Sequence, residues 1–183
     1  MKLPLFPLPV CLLPKGYTQL RIFEPRYKRL VSEALKSGNG FGLCMLDDNT
    51  QQLLAIGTQA QIIDFETLDD GMLGISIVGI QHFRIGEINV DSDGLKHADI
   101  ELLPLWPDSP LQTKDLKLKE MLMDILSSFP KHLQRYEKED FENATWLSQR
   151  WLEILPINMS KKQICLNTKT HDATLQLLHN LIK

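Results

Sequence analysis

Residues 22–40, "IFEPRYKRLVSEALKSGNG", contain the end of a predicted strand, a predicted helix and two glycines that follow the helix. Pro25 suits the first turn of a helix, where the backbone N–H that it lacks has no intrahelical partner. The apolar residues that follow recur three and four positions apart, which predicts one apolar helix face: Tyr27, Leu30, Val31, Ala34 and Leu35. Gly38 and Gly40 then end the helix. The sequence therefore predicts an amphipathic helix set early among strand-forming segments.

The sixteen residues at the start of the chain, "MKLPLFPLPVCLLPKG", have the lysine, apolar run and cysteine of an export or lipoprotein signal. A signal needs an uninterrupted apolar helix with small residues before its cleavage site. Prolines at positions 4, 7, 9 and 14 interrupt this run, and each removes a backbone donor. We therefore expect the segment to be retained and to form a proline-edged strand. Lys15-Gly16 then turns the chain into a second strand over 17–23.

After the helix, the sequence to about residue 105 consists of alternating segments separated by turn residues such as Asp93-Gly94. We predict separate strands where this alternation restarts: 41–46, 53–57, 58–68, 72–79, 80–90 and 95–105. Beyond "WPDSPLQ" (106–112) the apolar spacing becomes helical and predicts four helices. The sequence thus predicts an α+β fold, with a β-rich subdomain over 1–105 and a helical bundle subdomain over 106–183.

Composition narrows the classes of partner. The chain has 183 residues, and 20 Lys and Arg against 23 Asp and Glu give a net charge of −3. A protein that coats phosphate backbones usually carries a basic excess, so we expect no nucleic acid partner. No apolar run approaches the roughly 20 residues of a membrane-spanning helix, so we expect no membrane partner. Three widely spaced cysteines without a CxxC motif indicate a reducing compartment, and we expect a cytoplasmic location.

Motifs that would indicate catalysis are missing from the sequence, which has no GxxxxGK[ST], GxSxG or HExxH. Ser160 and its lysine neighbours allow a serine–lysine dyad on paper, but "NMSKKQ" is more typical of a helix start, with Ser160 and Gln163 at capping-box spacing. His82 and His97 lie in predicted strands near Asp99 and allow a two-histidine metal site, although hydrogen-bonded or solvent-facing histidines are commoner. We predict no catalytic residue, no cofactor and no metal.

Two stretches of this sequence resemble a known family. Residues 3–31, "LPLFPLP…LLPKGYTQLRIFEPRYKRLV", resemble the opening of the N-terminal substrate-binding domain of Lon proteases, and more closely its free-standing bacterial relatives. Residues 57–85, "GTQAQIIDFETLDDGMLGISIVGIQHFRI", resemble a second signature of that family, although Gln81-His82 replace its usual arginine-bearing residues. The resemblance implies an N-terminal PUA-like β pseudo-barrel with one inserted helix, followed by a C-terminal α-helical bundle.

The same resemblance implies a function. In full-length Lon proteases this domain precedes an ATPase module and a serine–lysine peptidase module. Because the resemblance is to the N-terminal domain alone, it implies recognition of polypeptide and does not imply hydrolysis. The implied partner is an unfolded or degron-bearing polypeptide, or a partner protein, and the implied setting is protein quality control or regulated proteolysis. We therefore predict a non-catalytic binding module. Whether it forms a homodimer is left open by the sequence.

Four residues are the candidate binding residues. Glu24, Arg26 and Tyr27 sit at the strand-to-helix corner, where the Arg26 guanidinium can grip a peptide carboxylate and Tyr27 offers an amphipathic surface. The alternative is that Phe23 and Tyr27 belong to the core and that Glu24 pairs locally with Arg26. Trp146 lies off the clearest apolar stripe of its predicted helix, so we expect it to be an exposed anchor.

The expected binding surface is either a hydrophobic groove between barrel and bundle or the exposed edge of a sheet. Two alternative functions remain. Small-molecule binding or cryptic hydrolase activity would use the cleft between the two halves, since such interfaces tend to form pockets. RNA binding through the barrel is disfavoured by the acidic charge balance.

Overall fold

The computed structural model describes residues 1–182 of the chain. Strands occupy its first half and helices its second, with one helix inserted early: β1 (Lys2–Leu8), β2 (Tyr17–Ile22), α1 (Pro25–Ser37), β3 (Phe41–Leu46), β4 (Leu53–Thr67), β5 (Leu73–Val90), β6 (Lys96–Leu102), α2 (Leu116–Ser127), α3 (Pro130–Leu133), α4 (Ala144–Ile154), α5 (Met159–Leu166) and α6 (Asp172–Leu181). The predicted α+β fold is confirmed. Within this range no helix combines the length and the apolar character that spanning a membrane requires.

Five strands close into a barrel. β1 pairs parallel with β3 and antiparallel with β6, while β3, β4, β5 and β6 pair antiparallel in that order. β2 lies outside this ring and pairs antiparallel with the first half of β5, from Tyr17–Val78 to Ile22–Leu73. Side chains fill the barrel interior, including Leu3, Leu5, Cys44, Phe83, Ala98 and Ile100. The closed ring agrees with the small barrel that the sequence predicts, and its likeness to PUA-type barrels stays a prediction.

The two longest strands differ from the sequence prediction. β4 has 15 residues and β5 has 18 residues, so the predicted breaks after residues 57 and 79 are wrong. Instead of turns, the strands carry register irregularities, which bend a strand without ending it. These lie at Gln59/Ala60 and Ile62/Asp64 between β4 and β5, and at Ile85/Ile88 between β5 and β6. The bends let the first half of β5 pair with β2 and its second half pair with β6.

The early helix α1 forms as its local signals predict. It has Pro25 in its first turn, and it ends at Gly38, whose positive φ of 73° suits a glycine. The apolar face packs on the sheet through three of the five predicted residues: Leu30, Val31 and Ala34. Tyr27 is half-buried, and the prediction for Leu35 is wrong because half of it is exposed. The helix therefore fixes the corner at residues 23–27 against the sheet.

The helix α5 begins at a residue other than Ser160, the predicted cap. The Asn158 side chain, not Ser160, caps α5, and its Oδ1 accepts a hydrogen bond from the Lys161 N–H at 3.0 Å. The Ser160 hydroxyl donates to the same Asn158 Oδ1 at 2.9 Å. The interpretation of "NMSKKQ" as a helix start is nevertheless confirmed, with the cap two residues before Ser160.

One hydrophobic core joins the two halves of the chain. Its members come from the strand half and from the helices alike, including Cys11, Leu13, Met45, Ile56, Leu122, Leu147 and Trp151. A buried ion pair on α4 lies at the same junction, where Arg150 Nε donates to Glu153 Oε1 at 2.7 Å. Glu153 Oε2 accepts from the Leu13 N–H at 2.8 Å, and Arg150 Nη2 donates to the Pro14 carbonyl at 2.6 Å. The proposed division at residue 105 stays a prediction.

Candidate functional site

A groove of about 600 Å³ opens beside the strand-to-helix corner. We call it the corner groove. Five pieces of chain line it: the end of β1, the corner itself, the end of β3, the residues that lead into β4, and the start of β6. Its apolar side chains are Phe6, Leu8, Phe23, Tyr27, Leu46 and Leu53, and its charged ones are Arg21, Glu24, Arg26 and Lys96. The structure therefore brings Glu24, Arg26 and Tyr27, three of the four predicted binding residues, into one groove.

Ring stacking fixes the corner of the groove. The Tyr27 ring lies parallel to the buried Phe6 ring, with ring centres 4.1 Å apart. The Arg26 guanidinium carbon lies 4.9 Å from the centre of the same Tyr27 ring, within the range of a cation–π contact. Burial raises the pKa of the Tyr27 phenol above its usual value. Tyr27 therefore presents a neutral, orientated ring edge and hydroxyl to the groove.

The contacts of the corner residues agree with the alternative interpretation in one respect and contradict it in another, while peptide binding by these residues stays a prediction. Arg26 Nη2 lies 3.1 Å from Glu24 Oε1, so the local ion pair of the alternative interpretation is confirmed. Phe23, by contrast, is 58% exposed, so its assignment to the core is wrong. The residue before it, Ile22, is buried. Successive residues of an extended chain point to opposite faces, which leaves Phe23 exposed. An exposed phenylalanine therefore stands beside a half-buried tyrosine at one wall of the groove.

Trp146 does not belong to this site, and the expectation that it is exposed is wrong. It is 2% exposed, and its ring packs edge-on against Tyr136 and Phe141 at centre distances of 5.0 and 4.8 Å. Asn143 caps α4 by accepting hydrogen bonds from the Thr145 and Trp146 N–H groups, which turns the first helical turn toward these aromatic rings. Trp146 is thus a core residue of the helical half.

A second cleft of about 390 Å³ lies where the predicted groove between strands and helices would be. Mostly polar and charged side chains line it: Tyr17, Thr18, Gln19, Asp64, Phe65, Glu66, Ser76, Lys131, His132 and Arg135. His132 Nε2 lies 3.1 Å from the Tyr136 hydroxyl, and burial lowers the pKa of His132. A small polar ligand fits this lining better than an apolar chain, so the cleft is the less suitable site for unfolded polypeptide.

The histidines considered as metal ligands have unrelated partners. His82 Nδ1 lies 3.3 Å from the Thr58 hydroxyl, and burial lowers the His82 pKa to about 4. His97 Nε2 lies 2.7 Å from Glu33 Oε2 on α1. Over residues 1–182 the structure contains no group of three His, Cys, Asp or Glu side chains placed to hold a metal ion.

Leu53 and Lys96 also line the corner groove, and neither was a candidate binding residue from the sequence. A signal existed in β6, because Lys96, Ala98 and Ile100 share one strand face and the last two are buried in the barrel. That alternation places Lys96 at the mouth of the barrel interior. Nothing in the sequence pattern showed that α1 and the turn after β3 also meet there.

The comparisons with known proteins agree with this architecture. The family described as ATP-dependent protease La (Lon) substrate-binding domain matches residues 2–183. The chain belongs to this family of substrate-binding domains, which confirms the resemblance of the two sequence stretches. The class of the protein is thus a Lon-type substrate-binding domain.

Two solved structures and one curated protein are similar to the chain. A Lon N-terminal domain protein from Xanthomonas campestris has a TM-score of 0.79 and 28% identity, covering 100% of this chain and 99% of that one. The N-terminal domain of a Mycobacterium avium complex Lon protease has a TM-score of 0.64 and 13% identity, covering 98% and 97%, which shows the shared fold. Cereblon from Gallus gallus is 24% identical over 160 residues, which are 80% of this chain and 36% of cereblon. The chain therefore spans about a third of the length of that relative.

Proposed function

We propose that this chain binds unfolded or degron-bearing segments of polypeptide, or a partner protein that displays one, in the corner groove and without cutting them. The family, a substrate-binding domain of a protease, supports the class of ligand. The observation that carries the location is the exposed Phe23 beside Tyr27 in an apolar groove. Protein quality control or regulated proteolysis is the setting we propose. Three buried free thiols suit the cytoplasm, the location we propose.

The groove favours unfolded chains for a physical reason. Apolar side chains are exposed in an unfolded segment and buried in a folded one, so only the former can transfer apolar area to the groove. Phe23 is still mostly exposed to water, and covering it gains free energy in proportion to the area removed. Arg26 and Glu24, which pair with each other, add polar groups to the groove lining beside its apolar side chains. An extended apolar segment is therefore the best ligand for this surface.

Three phenylalanines of nearly equal exposure make a matched test. Phe23 in the corner groove is 58% exposed, Phe65 in the second cleft is 59% exposed, and Phe129 is 60% exposed outside both. Binding of a fluorescent, casein-type unfolded polypeptide would be measured by anisotropy for the wild type and for Phe23→Ala, Phe65→Ala and Phe129→Ala. Because aromatic anchors dominate binding energies, we expect Phe23→Ala to weaken binding about tenfold. The other two variants should bind like the wild type.

Other outcomes would point to other functions. Weakening by Phe65→Ala alone would move the site to the second cleft, and no binding by the folded wild type would contradict the proposal. The alternative of a small-molecule ligand or hydrolase in the second cleft would be supported by turnover in an esterase and peptidase screen that His132→Ala abolishes. RNA binding is the third alternative, and it requires salt-sensitive affinity from a chain with a net charge of −3.

A further inference from the structure

The charges in the corner groove differ from those of the whole chain. The chain carries a net charge of −3, whereas the groove lining holds three cations, Arg21, Arg26 and Lys96, and one anion, Glu24. The groove lining therefore holds more cations than anions, although the whole chain is acidic. Electrostatic complementarity of this kind selects partners by the sign of their charge.

Two of the three cations are already neutralised within the protein. Arg21 is paired with Asp70, and Arg26 is paired with Glu24 at 3.1 Å. Lys96 differs, because among residues 1–182 no carboxylate oxygen lies within 4 Å of its ammonium group. One cation of the groove therefore has its full charge available for a ligand.

The position of Lys96 limits how freely its charge is hydrated. It shares a strand face with the buried Ala98 and Ile100, so its aliphatic stem lies at the mouth of the barrel and is half-buried. Its charge also acts on the buried Cys44 thiol, where it opposes the rise in pKa that burial causes. A carboxylate that pairs with a half-buried lysine beside apolar side chains interacts more strongly than one that pairs with a fully exposed lysine.

From these observations we infer that the corner groove selects apolar polypeptide segments that carry an acidic side chain, and that Lys96 binds the carboxylate of that side chain. This inference rests on the proposed function, and it adds a preference in sequence. Phe23 and Tyr27 contact the apolar part of the segment, and Lys96, on β6, lines the same groove. An apolar segment with a basic side chain in the same place would meet a like charge.

Four labelled peptides test this preference by anisotropy. The first three share one apolar sequence with Glu, Gln or Lys at a central position and have amidated ends. The fourth is the Gln peptide with a free C-terminal carboxylate. Each is titrated with the wild type, with Lys96→Gln, and with Lys169→Gln, which removes an exposed lysine that does not line the groove. Circular dichroism checks that each variant is folded.

We expect the wild type and Lys169→Gln to bind the Glu peptide about three- to tenfold more tightly than the Gln peptide, as suits one half-buried charge pair. In Lys96→Gln this preference should disappear, so that the Glu and Gln peptides bind with equal affinity. Equal binding of the three amidated peptides by the wild type would overturn the inference and leave the proposed function standing. A preference for the free C-terminus alone would also overturn it, in favour of chain ends. No binding of any peptide would overturn both.

Discussion

Substituting Glu153 tests how the two halves of the chain are held together. The Glu153→Ala change removes two hydrogen-bond acceptors, those of the Arg150 Nε–H at 2.7 Å and the Leu13 N–H at 2.8 Å. It also leaves the Arg150 side chain, which is only 2% exposed, without its counter-charge. Breaking a buried pair by removing one partner costs about 3–5 kcal/mol, so we expect a loss of that size in the free energy of unfolding. Glu153→Gln keeps an acceptor for Leu13 and should cost less, about 1–3 kcal/mol.

Guanidinium unfolding measures this loss, with far-UV circular dichroism reporting on the whole chain and tryptophan fluorescence on the buried Trp106, Trp146 and Trp151. Because one core spans both halves, the two signals should change in a single transition. The double variant Arg150→Met/Glu153→Leu should recover part of the stability, since it removes the unpaired charge but still leaves the Leu13 N–H and the Pro14 carbonyl without their side-chain partners. A loss below about 0.5 kcal/mol in Glu153→Ala, or a double variant less stable than that single variant, would refute the reasoning.

Three further predictions concern buried groups. Burial lowers the pKa of His82 from 6.5 to about 4. Between these two pH values the unfolded chain binds a proton at His82 and the folded chain does not. Up to about 3 kcal/mol of the free energy of unfolding should therefore be lost as pH falls from 6.5 to 4. Denaturation of His82→Gln across this range should show a flatter pH dependence, and an identical slope would disagree. A Cβ at Gly79 would lie 2.2 Å from the Leu13 carbonyl oxygen, so Gly79→Ala should lower the melting temperature with a cost of about 1–3 kcal/mol, and an unchanged value would contradict this. Burial raises the thiol pKa of Cys11 and Cys44 to about 12, so a thiol reagent should label them only when the chain unfolds. Rapid labelling of these thiols in the native chain would contradict this prediction.

Features that depend on neighbouring residues could be predicted from the sequence. Pro25 and Gly38 act on the backbone where they stand, and the helix between them begins and ends accordingly. The corner residues Glu24, Arg26 and Tyr27 could be chosen because they flank the helix start, and the structure places them together in one groove. The turn at Lys15 was also predicted, and its φ of 68° agrees.

Features that depend on distant residues could not be predicted. The helix α4 is buried on all sides from Ala144 to Leu152, so its apolar stripe gave no information about exposure, and Trp146 was misplaced for that reason. The bends in β4 and β5 depend on pairing with other strands, and Gly79 and Gly86 lie at the irregularities of β5 without ending that strand. The Arg150–Glu153 pair meets the segment around Leu13, 140 residues away from Glu153. Spacing along the sequence says nothing about contacts of that range.

The most direct test of the central claim is to map the bound polypeptide on the chain by NMR. Backbone amide shifts of the labelled protein would be followed while an apolar, acidic peptide is added. The account predicts that the largest shifts cluster at residues 6–8, 21–27, 46–53 and 96, which line the corner groove. Shifts centred instead on residues 17–19 and 131–135 of the second cleft would contradict it, as would saturating peptide that moves no amide at all.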